Sequence, residues 1–264
     1  MPYATASDET KIFYDVRGGG EPLVLLSGQA NHHGWWDGVR GDFDAAFRTV
    51  APDHRGTGSS GAPREAEYSI ARFAADVAAV LDDLGVERAH VYGTSMGGKV
   101  AQRLAADHPD RVGALVLGCT SPGGPNAVAA DPGIGRALGS LDRAAARRTL
   151  IDLMFNPGWA ERNPGSERVL GDPGMAAHAR RGHLAASRGH DAWDDLPRIT
   201  APTLVLHGTD DVFAPVGNAL LLAERIPGAR LLLLDGARHA YFEEQRETAG
   251  AAVLDFLREH PLGG

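Results

Sequence analysis

The feature that most constrains the fold is a series of short, continuous apolar runs. Each spans three or four residues and shows no regular alternation with polar side chains. Runs of this kind are typical of strands covered on both faces, as in a parallel sheet. They lie at residues 23–26, 49–51, 90–92, 114–117, 204–206 and 231–234. Residues 11–16 alternate instead, which predicts an antiparallel strand at the edge of this sheet.

Helical patterns separate these runs. Over residues 70–84 apolar side chains recur at steps of three and four, with Ser69 as a candidate N-cap and Gly85 as a candidate C-cap. A second pattern follows Ser95 and ends before Pro109. Similar patterns recur near the end of the chain. Strands and helices that alternate in this way predict an α/β fold, with a mostly parallel sheet and helices on both of its faces.

The alternation breaks between residues 122 and 196. This stretch has scattered Gly and Pro, short helical patches such as residues 144–154, and no convincing strand pattern. We therefore expect a core formed by residues 1–121 and 197–264, and a helical insertion at 122–196 that forms a cap over the sheet. The name "insertion" is used below for residues 122–196.

Composition and charge limit the classes of function that are open to this chain. With 264 residues, 43% of them hydrophobic, the chain can bury a large core. The net charge of −8 and the lack of a basic stripe argue against nucleic-acid partners. The N-terminus lacks the features of a secretory signal, and no segment approaches about 18 apolar residues. We expect a cytoplasmic protein with a small-molecule substrate and no membrane partner. The sequence does not indicate an oligomeric state. The single cysteine, Cys119, is expected to be buried.

Residues 93–97 read Gly-Thr-Ser-Met-Gly and match the pattern GxSxG. An apolar run precedes the motif and a helical pattern follows it, which is the context that the pattern requires. A chain that turns from strand to helix within so few residues crowds the positions of Gly93 and Gly97, where a side chain would collide. The motif predicts that Ser95 is a nucleophile on a strained turn.

A serine hydroxyl needs a base, and a histidine base needs a carboxylate to orient it. In this type of fold the expected order along the chain is serine, acid, histidine. Residues 207–215 follow one predicted strand and contain Asp210 and Asp211. His239 follows the last predicted strand, after a loop that contains glycine. Both segments come directly after strands, where open parallel sheets gather their sites.

The other histidines give no metal-binding pattern. No pair has the spacing and carboxylate support of a metal site, so we expect neither a metal nor a cofactor. Within the insertion, His178, His183 and His190 are expected at the surface.

Over nearly its full length the chain resembles the α/β-hydrolase superfamily. The 53–60 motif, which has the superfamily's form DxRGxGxS, is expected to brace a loop behind the site. The matching segments are 26–29 (Leu-Ser-Gly-Gln), 53–60, 93–97, 208–215 (GxxDxxxP) and 236–239 (GAxH).

The resemblance implies a role for five residues. Ser95 would be the nucleophile, His239 the base and Asp211 the acid, with Asp210 as the alternative acid. The backbone N–H groups of Gln29 and Met96 would form the oxyanion hole, whose donors stabilise charge in the tetrahedral intermediate.

The loop before Gln29 departs from the commonest pattern of the superfamily. Many relatives have His-Gly where this chain has Ser27-Gly28. Backbone donors survive this change, but the Gln29 side chain could alter the choice of substrate. The side chains expected to contact substrate, with core packing as the alternative for each, are Trp35, Trp36, Met154, Phe155 and Trp159.

These features predict a serine hydrolase that cleaves a carboxylic ester or lactone of a small, largely apolar molecule. A thioesterase, a carbon–carbon bond hydrolase or a biosynthetic enzyme that transfers or cyclises an acyl chain would use the same three residues. A small-molecule receptor on a hydrolase scaffold is an alternative of another class. Serine in place of aspartate at position 95 argues against haloalkane dehalogenase and epoxide hydrolase chemistry.

Overall fold

The computed structural model describes residues 2–64 and 67–263. Within these residues, eight strands form one sheet, in the spatial order β1-β2-β4-β3-β5-β6-β7-β8. Their bounds are β1 (Tyr3–Thr5), β2 (Lys11–Arg17), β3 (Pro22–Leu26), β4 (Arg48–Pro52), β5 (Ala89–Thr94), β6 (Val112–Gly118), β7 (Thr203–Gly208) and β8 (Arg230–Leu234). β2 is antiparallel to β1 and to β4, and the remaining pairs are parallel. The predicted mostly parallel sheet is therefore confirmed.

One prediction about the sheet was wrong. β2 was expected at the edge, but β1 pairs with it on the outer side, with Ala4 opposite Ile12. β1 has only three residues, of which Ala4 alone is buried. A segment this short is below the length over which alternation can be recognised, so no sequence pattern indicates it.

Ten α-helices surround the sheet in the described part of the chain. They are α1 (Arg40–Asp44), α2 (Ile70–Asp83), α3 (Met96–Asp107), α4 (Pro132–Ser140), α5 (Arg143–Met154), α6 (Trp159–Arg162), α7 (Ala177–Arg188), α8 (Gly217–Arg225), α9 (Tyr241–Glu244) and α10 (Arg246–Arg258). The Ser69 hydroxyl caps α2 as predicted, accepting the N–H of Arg72 at 3.1 Å. Within the described residues, none of these helices has the length and apolar character needed to cross a membrane.

Two hydrophobic cores cover the two faces of the sheet. Successive side chains of a strand point to opposite faces. Along β3, Leu23 and Leu25 accordingly join one core, which α1 and α10 cover, whereas Val24 and Leu26 join the other. Phe73 of α2 packs in that second core, together with side chains of α3 and α8. Burial on both faces explains why the strands read as continuous apolar runs.

The insertion leaves the sheet after β6 and returns to it at β7. It carries α4 to α7, and its described strand structure is a single β-bridge between Gly123 and Asp191. The prediction of a helical segment over residues 122–196 agrees with these elements. The division of the chain into a core and a separate cap domain stays a prediction.

Two histidines of the insertion are buried, contrary to the expectation of surface positions. His183 is fully buried, and its Nδ1 accepts the N–H of Ala30 at 3.2 Å while its Nε2 donates to the carbonyl oxygen of Arg55 at 2.8 Å. Burial lowers the pKa of His183 to about 4, so the ring is neutral near pH 7. His190 is also buried, and burial lowers its pKa to about 3. The two hydrogen bonds of His183, to Ala30 and Arg55, connect the insertion to two loops of the core.

Candidate active site

The turn at Ser95 has the strained backbone that the sequence predicts. β5 ends at Thr94, α3 begins at Met96, and Ser95 lies between them with φ 55° and ψ −120°. A positive φ is unfavourable for a residue with a β-carbon. Two hydrogen bonds hold the turn: Ser95 N–H donates to Gly118 O at 2.9 Å, and the Thr120 hydroxyl donates to Ser95 O at 2.7 Å. The surrounding strands therefore fix the serine at the carboxyl end of β5.

Close backbone packing explains both glycines of the motif. A β-carbon on Gly93 would collide with the carbonyl group of Gly97. A β-carbon on Gly97 would collide with the carbonyl oxygens of Leu26, the last residue of β3, and of Ser27, the first residue of the loop that follows. Because both obstacles are backbone atoms, neither can move aside as a flexible side chain would. The glycines thus let α3 start directly against the loop after β3.

We expect Gly97→Ala to destabilise the fold by about 2 kcal/mol or more, because overpacking against fixed backbone forces the helix and the loop apart. Urea denaturation of the purified variant measures this. Gly41→Ala is the matched control, since a β-carbon on Gly41 of α1 meets no atom of the described residues within 4 Å. Alanine there should leave stability unchanged or raise it by up to about 1 kcal/mol. Equal effects of the two substitutions would contradict the packing argument.

Asp211 and His239 come together from the loops after β7 and β8. Nδ1 of His239 lies 2.7 Å from Oδ2 of Asp211. Oδ1 of Asp211 accepts the backbone N–H groups of Phe213 at 2.8 Å and Ala214 at 3.0 Å, which fixes the carboxylate. The other candidate acid, Asp210, is exposed and accepts a hydrogen bond from the Thr209 hydroxyl. The structure therefore places Asp211 against the imidazole.

Asp211 is ionised in this setting. Burial by itself would raise the pKa of the carboxyl, but the charge of His239 and hydrogen bonds from His207 and His239 outweigh burial. Together they hold the pKa of Asp211 well below its usual range. Since the ionised carboxylate can only accept, Nδ1 of His239 carries the proton of the shared hydrogen bond. Nε2 of His239 is then the nitrogen left to accept a proton from a nucleophile.

Ser95 and His239 line the same cavity, which has a volume of about 580 Å³. Gln29 and Met96 also line it. Met96 is the first residue of α3, and the N–H groups of a first helical turn have no partner within the helix. Among the described residues the N–H of Met96 has no hydrogen-bond acceptor, and the oxyanion role that the resemblance implies for it stays a prediction.

The predicted substrate contacts divide into two groups. Trp35 and Met154 line the cavity, and Nε1 of Trp35 donates to the Thr94 hydroxyl at 3.0 Å. The side chains of Trp36, Phe155 and Trp159, which were also expected to contact substrate, do not line this cavity.

Trp36 and Phe155 are buried in the core that α10 covers. The ring of Trp36 packs against Tyr92, and the ring of Phe155 stacks on Trp159 with 4.6 Å between centroids. Trp159 lines a second cavity of about 290 Å³. Trp35 and Trp36 are consecutive in a short 3₁₀-helix, so their side chains point in different directions and only Trp35 faces the site. Core packing, the alternative for each residue, is the arrangement of these three.

Sequence reasoning missed several residues of the cavity wall. Phe213 packs edge-on against the His239 ring, with 5.2 Å between centroids. Lys99 lies in the first turn of α3, where its N–H donates to Ser95 O at 3.3 Å, and its place four residues after Ser95 could have identified it. Most of the others belong to the insertion, where no motif marks them: Leu150, Val169, Leu170, Arg180, Arg181, Leu184 and Ser187.

One group of side chains in the described residues has the composition of a metal site. The ligand atoms of His32, His33 and Asp53 lie within 4.8 Å of one another. These atoms already form hydrogen bonds, however: Asp53 Oδ1 accepts from His33 N and Nδ1, and His32 Nδ1 accepts from Gly34 N. The group therefore fixes the loop after β3, in keeping with the bracing role expected for the 53–60 motif.

Comparison with known proteins supports the same fold. The chain is 30% identical to RutD of Azorhizobium caulinodans, provisionally named a carbamate hydrolase, over 98% of this chain and 99% of that protein. It is 33% identical to a non-heme chloroperoxidase of Streptomyces lividans, over 98% and 100% of the two chains. The crystal structure of the enol-lactonase from Burkholderia xenovorans LB400 superimposes with a TM-score of 0.84 at 28% identity, covering 97% of this chain and 100% of that one.

The family model that matches the chain is described as the alpha/beta hydrolase fold and covers residues 21–245. The match includes the turn at Ser95, the loop that carries Asp211, and His239. The protein is a hydrolase of esterase-like and lactonase-like architecture, and the chain belongs to the α/β-hydrolase fold family.

Proposed function

We propose that the protein is a serine hydrolase that cleaves a carboxylic ester or lactone of a small, largely apolar molecule. One observation carries the proposal: Ser95, on its strained turn, lines the same cavity as a histidine whose Nδ1 lies 2.7 Å from a buried aspartate. Acyl transfer needs a nucleophile, a base and an acid, and we assign these roles to residues from three separate loops. The mostly apolar wall, which includes Trp35, Met154 and Phe213, suits a small organic substrate.

The reaction follows from the positions of these groups. Ser95 Oγ attacks the carbonyl carbon of the substrate, and its proton passes to Nε2 of His239. Asp211 stabilises the imidazolium, and the N–H groups of Met96 and Gln29 bind the oxyanion. The carbon–oxygen bond to the leaving group then breaks, and His239 returns its proton to the leaving oxygen. Water attacks the acyl-enzyme by the same route, which releases the carboxylic acid and restores Ser95.

We propose that the insertion acts as the cap of this site. Helix α5 contributes Leu150 and Met154 to the cavity wall, and α7 contributes Leu184 and Ser187. A segment that supplies so much of the wall sets the shape of the pocket. The choice between ester and lactone therefore depends on how these two helices pack.

Labelling with a fluorophosphonate tests the nucleophile. We expect one adduct on the intact wild-type protein by mass spectrometry and none on Ser95→Ala or His239→Ala. The rate of 4-nitrophenyl butyrate hydrolysis should fall by roughly 10,000-fold or more in both variants, since triad members act as a unit. Ser140→Ala, which alters an exposed hydroxyl in α4, is the matched control and should react like the wild type.

The outcomes separate the remaining functions. An adduct without hydrolysis of simple esters would favour a thioesterase, a carbon–carbon bond hydrolase or an acyl-transferring enzyme, which use the same nucleophile. Absence of an adduct on folded wild-type protein would overturn the proposal in favour of a small-molecule receptor.

A further inference from the structure

Lys99 is a cation inside the cavity that the proposed reaction does not use. It lies in α3, four residues after Ser95, and both side chains line the cavity. The backbone N–H of Lys99 donates to the carbonyl oxygen of Ser95 at 3.3 Å, so the two residues form adjoining parts of the cavity wall. The chain has two lysines in all, and the other, Lys11, is exposed in β2. The Lys99 ammonium is therefore within reach of a ligand bound at Ser95.

The partners of Lys99 are neutral. Nζ donates to the carbonyl oxygen of Ser187 at 2.8 Å and to the Ser187 hydroxyl at 3.2 Å. No carboxylate among the described residues forms an ion pair with it. An ammonium group has three N–H donors, so one remains for a ligand. A largely buried cation without an ionic partner is costly unless an anion joins it.

The charge of the cavity wall points the same way. Arg180 and Arg181 of α7 also line the cavity, whereas no aspartate or glutamate of the described residues does so. The chain as a whole carries a net charge of −8, so this cationic wall runs against the overall balance. Burial lowers the pKa of Lys99 to about 8, which shows how little the protein itself stabilises the charge.

We propose that Lys99 binds a carboxylate of the substrate, so that the substrate is an ester or lactone that carries a carboxylate a few carbons from the reacting carbonyl. This inference rests on the proposed function and specifies its substrate class. Ser95 would hold the carbonyl while Lys99 holds the distant carboxylate, and the apolar wall between them would contact the connecting carbons. Lys99 is thus a residue that determines specificity, without a part in proton transfer.

A competing role for Lys99 is structural. Ser187 is near the C-terminal end of α7, and the Lys99 ammonium bonds its carbonyl oxygen, as a cation that stabilises a helix end would. Such a brace would hold the insertion against α3 for every substrate alike. A binding role instead depends on the charge of the substrate, so two esters of matched shape distinguish the two roles.

The experiment compares 4-nitrophenyl hydrogen adipate, which is anionic, with 4-nitrophenyl hexanoate, which has a methyl group in place of the carboxylate. Lys99→Gln removes the charge but keeps a donor for Ser187. We expect this variant to lose about 10- to 100-fold in kcat/KM for the adipate half-ester, mainly through KM, as for the loss of a charge-assisted hydrogen bond. The hexanoate ester should change less than 3-fold. Lys99→Arg should keep more half-ester activity than Lys99→Gln, and Lys11→Gln should match the wild type.

Two outcomes would overturn the proposal. Equal losses with both esters would assign Lys99 to the structural brace, and no loss with the half-ester would show that the carboxylate is bound elsewhere or not at all. Calorimetric titration with adipate gives a readout that does not need turnover. Wild-type protein should bind adipate at least 10-fold more tightly than Lys99→Gln. If the fluorophosphonate forms no adduct, this titration still tests whether Lys99 binds a carboxylate. Equal affinities of the wild type and Lys99→Gln for adipate would overturn the proposal.

Discussion

Asp211→Asn is expected to lower kcat/KM for ester hydrolysis by about 10,000-fold while the protein stays folded. The carboxylate accepts a hydrogen bond from Nδ1 of His239 at 2.7 Å. An asparagine in this place can turn its amide NH₂ towards Nδ1, which would move the ring proton to Nε2. A protonated Nε2 cannot accept the proton of Ser95. The measurement is steady-state hydrolysis of 4-nitrophenyl butyrate, with circular dichroism to establish that the variant is folded.

The neighbouring aspartate supplies the control for this experiment. Asp210→Asn changes the same functional group one position earlier, at an exposed side chain whose hydrogen bond comes from the Thr209 hydroxyl. We expect it to alter kcat/KM by less than about 3-fold, as for a surface substitution away from the reacting groups. Comparable losses in both variants would mean that the loop as a whole, rather than the carboxylate of Asp211, supports His239.

The sequence predicted the sheet well because burial on both faces leaves a local signal. Every predicted run became a strand, and the strained turn at Ser95 lies where the GxSxG motif placed it. β1 was not predicted because a strand of three residues is too short to show an alternating pattern. The hydrogen bond between Asp211 and His239 joins residues 28 positions apart. Asp211 was preferred to Asp210 because of the resemblance to a family, and the geometry supports that preference.

The cavity wall was harder to predict because it depends on packing between distant segments. Trp35 and Trp36 are identical in type, adjacent in sequence and buried in the same core, yet Trp35 also lines the cavity and Trp36 does not. Lys99 was identifiable from its spacing to Ser95, but its significance comes from the lack of an acidic partner, and this is a property of the folded chain. His183 shows the same limit, since its two partners belong to loops far away in sequence.

Arg55 is the group that holds the 53–60 motif in place. Its guanidinium is fully buried between two carboxylates: Nη1 lies 2.7 Å from Asp8, and Nη2 lies 2.7 Å from Asp76. Burial by itself would lower the pKa of Arg55, but hydrogen bonds to the two carboxylates outweigh this and raise it. The carbonyl oxygen of the same residue accepts the hydrogen bond from His183, so the brace connects to the insertion.

Removing this guanidinium is expected to destabilise the folded protein strongly. Arg55→Met should lower the free energy of unfolding by about 3–5 kcal/mol, because it leaves the buried carboxylate of Asp76 without its partner. Arg258→Met is the matched control: Arg258 pairs with Asp255, and the two side chains are 59% and 71% exposed. An exposed pair of this kind contributes at most about 1 kcal/mol. Urea denaturation at pH 7 measures both, and equal losses would contradict the brace.

The pH dependence of the Arg55→Met variant distinguishes loss of charge from loss of packing. Loss of the charge should make the stability difference from the wild type change with pH, whereas loss of packing should not. Burial is the main cause that raises the pKa of Asp76 even in the presence of Arg55. Without the guanidinium, the folded protein should hold the Asp76 proton more tightly still, whereas the unfolded chain releases it near pH 4. The stability lost on substitution should therefore grow as pH rises from 5 to 8 and shrink as pH falls towards 5. A loss that is independent of pH over this interval would assign the effect to packing of the side chain rather than to its charge.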